Sequence, residues 1–165
     1  MPLLRRARPD DLADLLELTR EFNAVDGHDH DDARVAHALG PLLEGDEHGQ
    51  VWLIEKAVGI GEAVEIEEAE GAPAAAGAGP LGYAVVCWGY SLESGGREAL
   101  IDEFYVRDRG RGVGSAAMHE LLDACRAAGA LGVFLETEAP NESARRFYRR
   151  HGFQDEPSIW MSRGL

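Results

Sequence analysis

Apolar residues follow two kinds of spacing along this chain, and each kind predicts one type of secondary structure. Alternation of apolar and polar residues predicts β-strands, and recurrence every three or four residues predicts amphipathic helices. Proline and glycine mark element ends, most clearly at Pro9, Gly129 and Gly152. The predicted strands are Leu3–Arg8, Gln50–Ala57, Leu81–Glu93, Glu98–Val106, Leu131–Glu138 and Ser158–Ser162, and the predicted helices are Asp11–Val25, Ala33–Leu43, Ser115–Ala128 and Glu142–His151.

The order of these elements predicts an α/β (α+β) fold: a mixed, mostly antiparallel central sheet flanked by helices. Ser94-Gly95-Gly96 joins two strands as a hairpin turn. The strand–helix–strand order that follows predicts one parallel crossover. Between the second and third strands, Gly59–Pro80 is rich in Glu, Ala and Gly, and we expect a flexible acidic loop there. At 165 residues, we expect residues 1–165 to form a single domain.

Charge and cysteine content narrow the possible partners. The chain has 30 acidic and 16 basic residues, for a net charge of −14, which opposes binding to a phosphate backbone and favours cationic molecules. The two cysteines, Cys87 and Cys125, form neither a disulfide framework nor a paired-thiol metal motif. No apolar run approaches the roughly 20 residues of a membrane span, and the N-terminus lacks the order of a signal peptide. We expect a cytoplasmic protein without nucleic-acid or membrane partners.

A glycine-rich turn between a predicted strand and a predicted helix is the main candidate for binding chemistry. Gly110, Gly112 and Gly114 leave backbone N–H groups accessible at the start of a helix, where the helix dipole favours a pyrophosphate. The turn lacks the lysine of a P-loop, and Ser115 stands where a dinucleotide fingerprint needs its third glycine. The remaining pattern, Arg109-x-x-Gly112-x-Gly114, resembles the acyl-CoA-binding motif, and its plainer interpretation is an ordinary glycine-rich strand-to-helix turn.

A second motif follows about 30 residues later: Asn141-Glu-Ser-Ala-Arg-Arg-Phe-Tyr148. With this motif, nearly the whole chain resembles the GNAT superfamily of acyl-CoA N-acyltransferases. Within that superfamily it looks closest to the diamine (spermidine/spermine-type) acetyltransferases, on the segments Asp102–Val106 and Asn141–Gly152. One difference is that only Arg107 and Asp108 separate Val106 from Arg109, a shorter segment than the family usually has.

The resemblance implies direct transfer of an acetyl group from acetyl-CoA to a primary amine, in a homodimeric enzyme that needs no metal. It also implies the donor site. Backbone groups where the strand splays open would hold the pantetheine arm and polarise the thioester, the glycine turn would hold the pyrophosphate, and the start of the last helix would bind the far side of the pantetheine. The residues so implied are Phe104, Tyr105 and Val106 on the strand, Arg109, Gly110, Arg111, Gly112, Val113, Gly114 and Ser115 in the turn, and Asn141 and Ser143 on the helix.

The resemblance further implies that Tyr148 protonates the departing thiolate. The amine must also lose a proton, and Asp102 and Glu103 are the candidate acceptors. In a regular strand these neighbours point to opposite faces, so at most one of them is expected to face the substrate. The strand position that the resemblance implies for the proton acceptor favours Asp102. The shortened segment before Arg109 keeps Glu103 as an alternative acceptor.

Each candidate also has a plainer interpretation. Tyr148 could be a core tyrosine, and Asn141 could act only as a helix cap. The loop Asp26–Asp32 contains His28 and His30 and suggests a metal, but its spacing fits no compact metal motif and favours a solvated acidic loop. The resemblance implies that this loop borders the acceptor site, where its carboxylates would attract a cationic amine. The four arginines of Glu142–His151 are interpreted as lying on a mostly solvated helix face. One of these arginines could reach a CoA phosphate.

Two other functions remain open at this point. The same donor site could serve a protein or peptide amine acetyltransferase, which would need a more open acceptor groove. A catalytically silent acyl-CoA-binding protein could share the fold without turnover, although Tyr148 and the carboxylates Asp102 and Glu103 argue against it.

Overall fold

A computed structural model of the chain describes residues 3–56, 79–107 and 110–164. Their core is a five-stranded sheet in the order β1-β2-β3-β4-β5. The strands are β1 (Leu4–Arg6), β2 (Gly49–Ile54), β3 (Gly82–Ser91), β4 (Gly96–Val106) and β5 (Gly132–Leu135), and the helices are α1 (Leu12–Asp26), α2 (Asp32–Glu44), α3 (Val113–Ala127) and α4 (Glu142–Arg150). The predicted loop Gly59–Pro80 lies mostly outside the described residues, as does Arg109.

The sheet topology confirms the predicted fold class. Neighbouring strands from β1 to β4 are antiparallel, and β5 alone pairs in parallel with β4. The parallel pair needs a crossover, and α3 supplies it between β4 and β5. The result is a mixed, mostly antiparallel sheet with helices on both faces.

Both faces of the sheet are buried, and each face has its own core cluster. On one face, strand residues such as Val86 and Ile101 pack against the apolar side of α3, which includes Met118 and Leu121. On the other face, residues such as Leu53 pack with Leu15 and Leu18 of α1 and Leu39 of α2. The helical spacing of apolar residues in α1 and α3 therefore predicted their buried sides.

The predicted strand ends differ from the structure by up to three residues, and one predicted strand is absent. β5 ends at Leu135 rather than Glu138, because β4 pairs with it only from Glu98 to Ile101. The strand predicted at Ser158–Ser162 is wrong: these residues form no strand, and Ile159, Trp160 and Met161 are 87%, 69% and 92% exposed. Their β-branched and aromatic side chains favour strand locally, but a strand also needs a hydrogen-bonding partner, and none of the described strands pairs with them.

Gly82 begins β3 and pairs with Val106 at the end of β4. Substitution of Gly82 therefore tests how closely the two strands approach each other. A Cβ atom at Gly82 would lie 2.0 Å from the carbonyl oxygen of Tyr105, so Gly82→Ala must push the two backbones apart. We expect this variant to lower the free energy of unfolding by about 2 kcal/mol in urea denaturation.

Gly89→Ala in the same strand is the matched control. Its Cβ would meet only Glu98, with the nearest atom at 3.8 Å, which is an ordinary contact. We expect a change within about 0.5 kcal/mol. Equal destabilisation by the two variants would mean that the loss comes from replacing a strand glycine in general and not from the close approach at Gly82.

Candidate active site

The candidate site is a cavity that opens where β4 and β5 separate. The two strands pair only as far as Ile101 and Leu135, while β4 continues to Val106. The end of β4, the turn after it and the start of α4 surround a cavity of about 820 Å³. The cavity is therefore a consequence of the sheet topology, because a parallel strand that stops early leaves the longer strand without a neighbour.

Most of the residues expected to bind the donor line this cavity, and some do not. Those that line it are Phe104, Val106, Gly110, Gly112, Gly114, Ser115, Asn141 and Ser143. Tyr105 points to the opposite face of the sheet, where its hydroxyl donates to Glu21 at 3.2 Å. Arg111 and Val113 lie in the same turn, but they are not among the residues that line the cavity.

The glycine turn has the geometry of an anion site. Gly110 and Gly112 have φ angles of +96° and +81°, which side-chain-bearing residues rarely adopt. Gly112 caps α3, and the first intrahelical bond runs from the N–H of Ala116 to the carbonyl of Gly112 at 3.0 Å. The N–H groups of the first turn precede that bond, so they and the helix dipole are available to an anion.

The two candidate carboxylates line the same cavity because β4 contains an irregularity between them and Ile101. Val86 pairs with Ile101 and Val85 pairs with Glu103, so Asp102 is an extra residue without a partner on β3. Ile101 and Phe104 consequently pack on the same face of the sheet, although regular alternation would place them on opposite faces.

The regular alternation that was expected to send Asp102 and Glu103 to opposite faces is wrong, because the extra residue breaks the alternation at this pair of side chains. Both Asp102 and Glu103 line the cavity.

Burial makes both carboxyl groups weaker acids than usual. Desolvation raises the pKa of Asp102. Desolvation also raises the pKa of Glu103, and the hydrogen bond from the Tyr83 hydroxyl to Oε2 of Glu103, at 2.6 Å, opposes that rise. A carboxylate with a raised pKa holds a proton more strongly and is a better proton acceptor.

The end of α1 and the loop after it form another wall of the cavity. Phe22, Asn23, Asp26 and His28 all line it. Asp26 adds a carboxylate whose charge acts on Glu103 and contributes to the raised pKa of Glu103. This wall therefore suits a cationic ligand better than an anionic one.

Hydrogen bonds within the loop after α1 hold it in place. The side-chain amide of Asn23 donates to the Thr19 carbonyl and lies 3.0 Å from Nδ1 of His30. Nε2 of His30 lies 2.7 Å from Asp32, and Asp31 caps α2 by accepting from two backbone N–H groups. These acidic side chains are thus used in local structure. Among the described residues, no group of three or more His, Cys, Asp or Glu could hold a metal ion.

Helix α4 brings Tyr148 to the cavity. The Asn141 side chain caps this helix by accepting from the N–H of Ala144 at 3.1 Å, so the cap role considered for Asn141 is present. Tyr148 lines the cavity, and its ring also packs edge-on against Phe147 and Phe153 at 5.3 and 5.7 Å between ring centroids. The aromatic packing fixes the ring and leaves it at the cavity wall.

The arginines of α4 divide into two pairs. Arg146 and Arg150 line the cavity, whereas Arg145 and Arg149 form ion pairs with Asp155. The spacing explains this division, because residues four apart lie on one face of a helix. Two cations therefore face a cavity in a chain of net charge −14.

Sequence reasoning missed several residues of the site. Tyr83 carried no motif signal, because its contact with Glu103 depends on the pairing of β3 with β4. Ser115 was expected in the turn, but its partner was not: its hydroxyl lies 3.0 Å from Nε2 of His151, across 36 residues of sequence. Burial lowers the pKa of His151, which keeps the ring neutral over a wider pH range.

The connection between β5 and α4 also contributes to the cavity wall, through Glu136, Thr137 and Glu138.

Fold and site together define a class of protein: a mixed α/β domain with a cavity where two strands separate, lined by a glycine turn at the start of a helix and by carboxylates. The model of the acetyltransferase (GNAT) family matches residues 12–153. The chain belongs to the GNAT family of acetyltransferases.

Solved structures agree with this assignment. A candidate acetyltransferase from Arthrobacter sp. FB24 is 26% identical, with a TM-score of 0.75 over 100% of this chain and 97% of that one. An integron cassette protein from the mobile metagenome of Cole Harbour Salt Marsh is 27% identical, with a TM-score of 0.76 over 99% and 90%. An aminoglycoside acetyltransferase from an uncultured soil metagenomic sample, solved with sisomicin, shares the fold at 16% identity, with a TM-score of 0.68 over 98% and 95%.

No curated protein matches the sequence. In the described parts of the chain, no helix is both long enough and apolar enough to cross a membrane.

The Asn141 cap can be tested without any ligand. Asn141→Ala removes the acceptor for the Ala144 N–H, and we expect the free energy of unfolding to fall by about 1 kcal/mol. Asn141→Asp retains an acceptor at the positive end of the helix and should restore most of this loss. Urea denaturation measures both, and a loss in Asn141→Asp as large as in Asn141→Ala would contradict the capping role.

Proposed function

We propose that this protein transfers an acetyl group from acetyl-CoA directly to the primary amine of a small, cationic molecule. One observation carries the proposal: a single cavity is lined by the glycine turn at the start of α3, by Tyr148 and by the carboxylates Asp102 and Glu103. Acetyl-CoA is the co-substrate of the GNAT family to which the chain belongs.

The donor half of the cavity fits the chemistry of CoA. Gly110, Gly112 and Ser115 would hold the pyrophosphate through backbone N–H groups and the serine hydroxyl. Arg146 and Arg150 face the same cavity and would add positive charge. The pantetheine arm would run along the end of β4, whose backbone groups are not used by β5.

The reaction must remove protons from the amine and deliver a proton to the departing sulfur. Acetyl-CoA, when bound, supplies a thioester; the C–N bond forms as the C–S bond breaks. We assign the acceptance of the amine proton to Glu103, supported by its burial and by the hydrogen bond that fixes one of its oxygens. Asp102 beside it would hold the positive charge of the amine. Tyr148 would give its hydroxyl proton to the departing thiolate.

The acceptor would be a small cation because the acceptor half of the cavity is acidic. Asp26, Asp102 and Glu103 all line it, in a chain of net charge −14. Charges of this sign attract cationic substrates and raise their local concentration. A diamine fits this arrangement, since one amine could react while another pairs with a carboxylate.

The homodimer and the cytoplasmic location stay predictions. Large apolar side chains exposed along the outer side of β5 and in the C-terminal segment support a second copy as partner. These are Leu131, Phe134, Ile159, Trp160 and Met161.

A thiol-release assay with acetyl-CoA and a panel of amines tests the proposed reaction. The panel contains polyamines, aminoglycosides, amino acids and a basic peptide. We expect release with a polycationic small amine, and a fall in kcat of about 100-fold in Tyr148→Phe, because the thiolate loses its proton donor.

Tyr90→Phe is the matched control for the loss of a hydroxyl, since Tyr90 is 80% exposed on β3 and does not line the cavity. Release with only the peptide would favour the protein or peptide acetyltransferase. Binding of acetyl-CoA without release from any amine would favour the catalytically silent protein and contradict the proposal.

The donor site has its own test in the glycine turn. Gly112→Ala places a side chain at φ +81° in the cavity wall, and we expect the Kd for acetyl-CoA to rise about tenfold or more in isothermal titration calorimetry. Gly129→Ala creates the same backbone strain, at φ +83°, after the other end of α3. Equal weakening by both variants would show a general loss of stability instead of a donor site at the turn.

A further inference from the structure

We propose that Tyr83 is a positioning residue for the reaction: its hydroxyl holds Oε2 of Glu103 and so leaves Oε1 to accept the proton of the amine. This inference rests on the proposed function and adds to it a residue on β3, outside every motif of the sequence. It concerns the orientation and ionisation of a single carboxylate.

The position of Tyr83 follows from the register of the sheet. On β3, Tyr83 pairs with Tyr105 and Val85 pairs with Glu103, so Tyr83 and Glu103 are diagonal neighbours on one face. This placement depends on the extra residue Asp102, since a regular β4 would turn residue 103 to the other face. The Tyr83 hydroxyl then lies 2.6 Å from Oε2 of Glu103.

Aromatic packing fixes the Tyr83 ring. Tyr83 is fully buried, with 0% exposure. Its ring contacts Phe22 edge-on at 6.4 Å and Tyr105 at 6.3 Å between centroids. A ring held in this way fixes the position of its hydroxyl oxygen, and Oε2 of Glu103 lies within hydrogen-bonding distance of it at 2.6 Å.

The hydroxyl acts as the donor of this hydrogen bond. Burial and the nearby charge of Glu103 raise the pKa of Tyr83. The phenol therefore stays protonated at every pH at which the enzyme would work. Among the hydrogen bonds of the described residues, the bond from Tyr83 is the only one to the Glu103 carboxylate. One oxygen is thus occupied and the other is available at the cavity.

Two protons leave the nitrogen of the ammonium substrate, and one proton reaches sulfur. The first goes to Oε1 of Glu103, and the freed electron pair on nitrogen forms the bond to the acetyl carbon. The second leaves the nitrogen for solvent as the amide forms. The C–S electron pair leaves with sulfur, which takes a proton from Tyr148. Glu103 later returns its proton to solvent, and Tyr148 is reprotonated from solvent.

The charged groups around Glu103 determine the direction of the expected pH effect. Asp102 and Asp26 oppose its ionisation, while His30 and the Tyr83 hydrogen bond favour it. Removing the hydroxyl removes a contribution that favours the carboxylate, so the pKa of Glu103 should rise further. Since the base must be ionised, the acidic limb of kcat/KM should move to higher pH.

Tyr83→Phe is the test variant, because it removes the hydroxyl and keeps the packed ring. With the amine that the panel identifies, we expect the acidic limb of kcat/KM to move up by about one pH unit. We also expect kcat to fall about tenfold at neutral pH while the KM for acetyl-CoA stays unchanged. Tyr90→Phe should leave the profile where it is, because its hydroxyl is exposed and outside the cavity.

A double-variant comparison distinguishes positioning from general destabilisation. Glu103→Gln and Tyr83→Phe/Glu103→Gln should have equal kcat, because Tyr83 acts only through the Glu103 carboxylate. An additional loss in the double variant would mean that Tyr83 contributes in another way and would overturn the inference.

NMR titration of the protein labelled with [5-13C]glutamate separates failure of this inference from failure of the proposed function. Glu103→Gln identifies the Glu103 resonance, and Tyr83→Phe should raise its titration midpoint without any substrate present. An unmoved midpoint overturns the inference whatever the turnover. A raised midpoint with an unmoved pH profile also overturns it, since Glu103 would then not be the base. Absence of thiol release by the wild-type protein with every amine overturns the proposed function instead.

Discussion

The extra residue in β4 is the constraint on which the rest of the site depends. Asp102 has no partner on β3, and the pairing of β4 with β5 stops at the preceding residue, Ile101. The same point in the chain therefore opens the sheet and reverses the alternation of side chains. Opening the sheet creates the cavity, and reversing the alternation brings Glu103 to the face that holds Tyr83.

The cavity combines two opposite electrostatic environments in an acidic protein. The start of α3 and two arginines of α4 line it, and so do five carboxylates, those of Asp26, Asp102, Glu103, Glu136 and Glu138. Backbone N–H groups and a helix dipole can serve an anion whatever the net charge of the chain, because they belong to the backbone. A net charge of −14 is thus compatible with an anionic donor and a cationic acceptor in one cavity.

Arg107 connects α1, whose end forms one wall of the cavity, to the sheet. Its guanidinium pairs with Glu21 at 2.7 Å and with Glu17 at 2.5 Å, and both glutamates lie on α1. The Tyr105 hydroxyl donates to Glu21 as well, at 3.2 Å. These bonds hold α1 against the end of β4, from which the glycine turn begins. Phe22, which follows Glu21 on α1, lines the cavity.

The sequence by itself determined the local parts of this protein. Apolar spacing predicted the buried side of α3, and the glycines with positive φ were expected in the turn that opens it. The cap at Asn141 was recognised among the possible roles of that residue. Such features depend on residues a few positions apart, whose spacing is visible in the sequence.

Only the tertiary structure decided which side chains meet. The positions of Asp102 and Glu103, the contact between Tyr83 and Glu103, and the lack of a strand at Ser158–Ser162 all depend on hydrogen bonding between segments distant in sequence. A register shift of one residue turns every following side chain to the other face. The spacing of residues within β4 does not predict that shift, because the shift depends on how β4 pairs with β3 and β5.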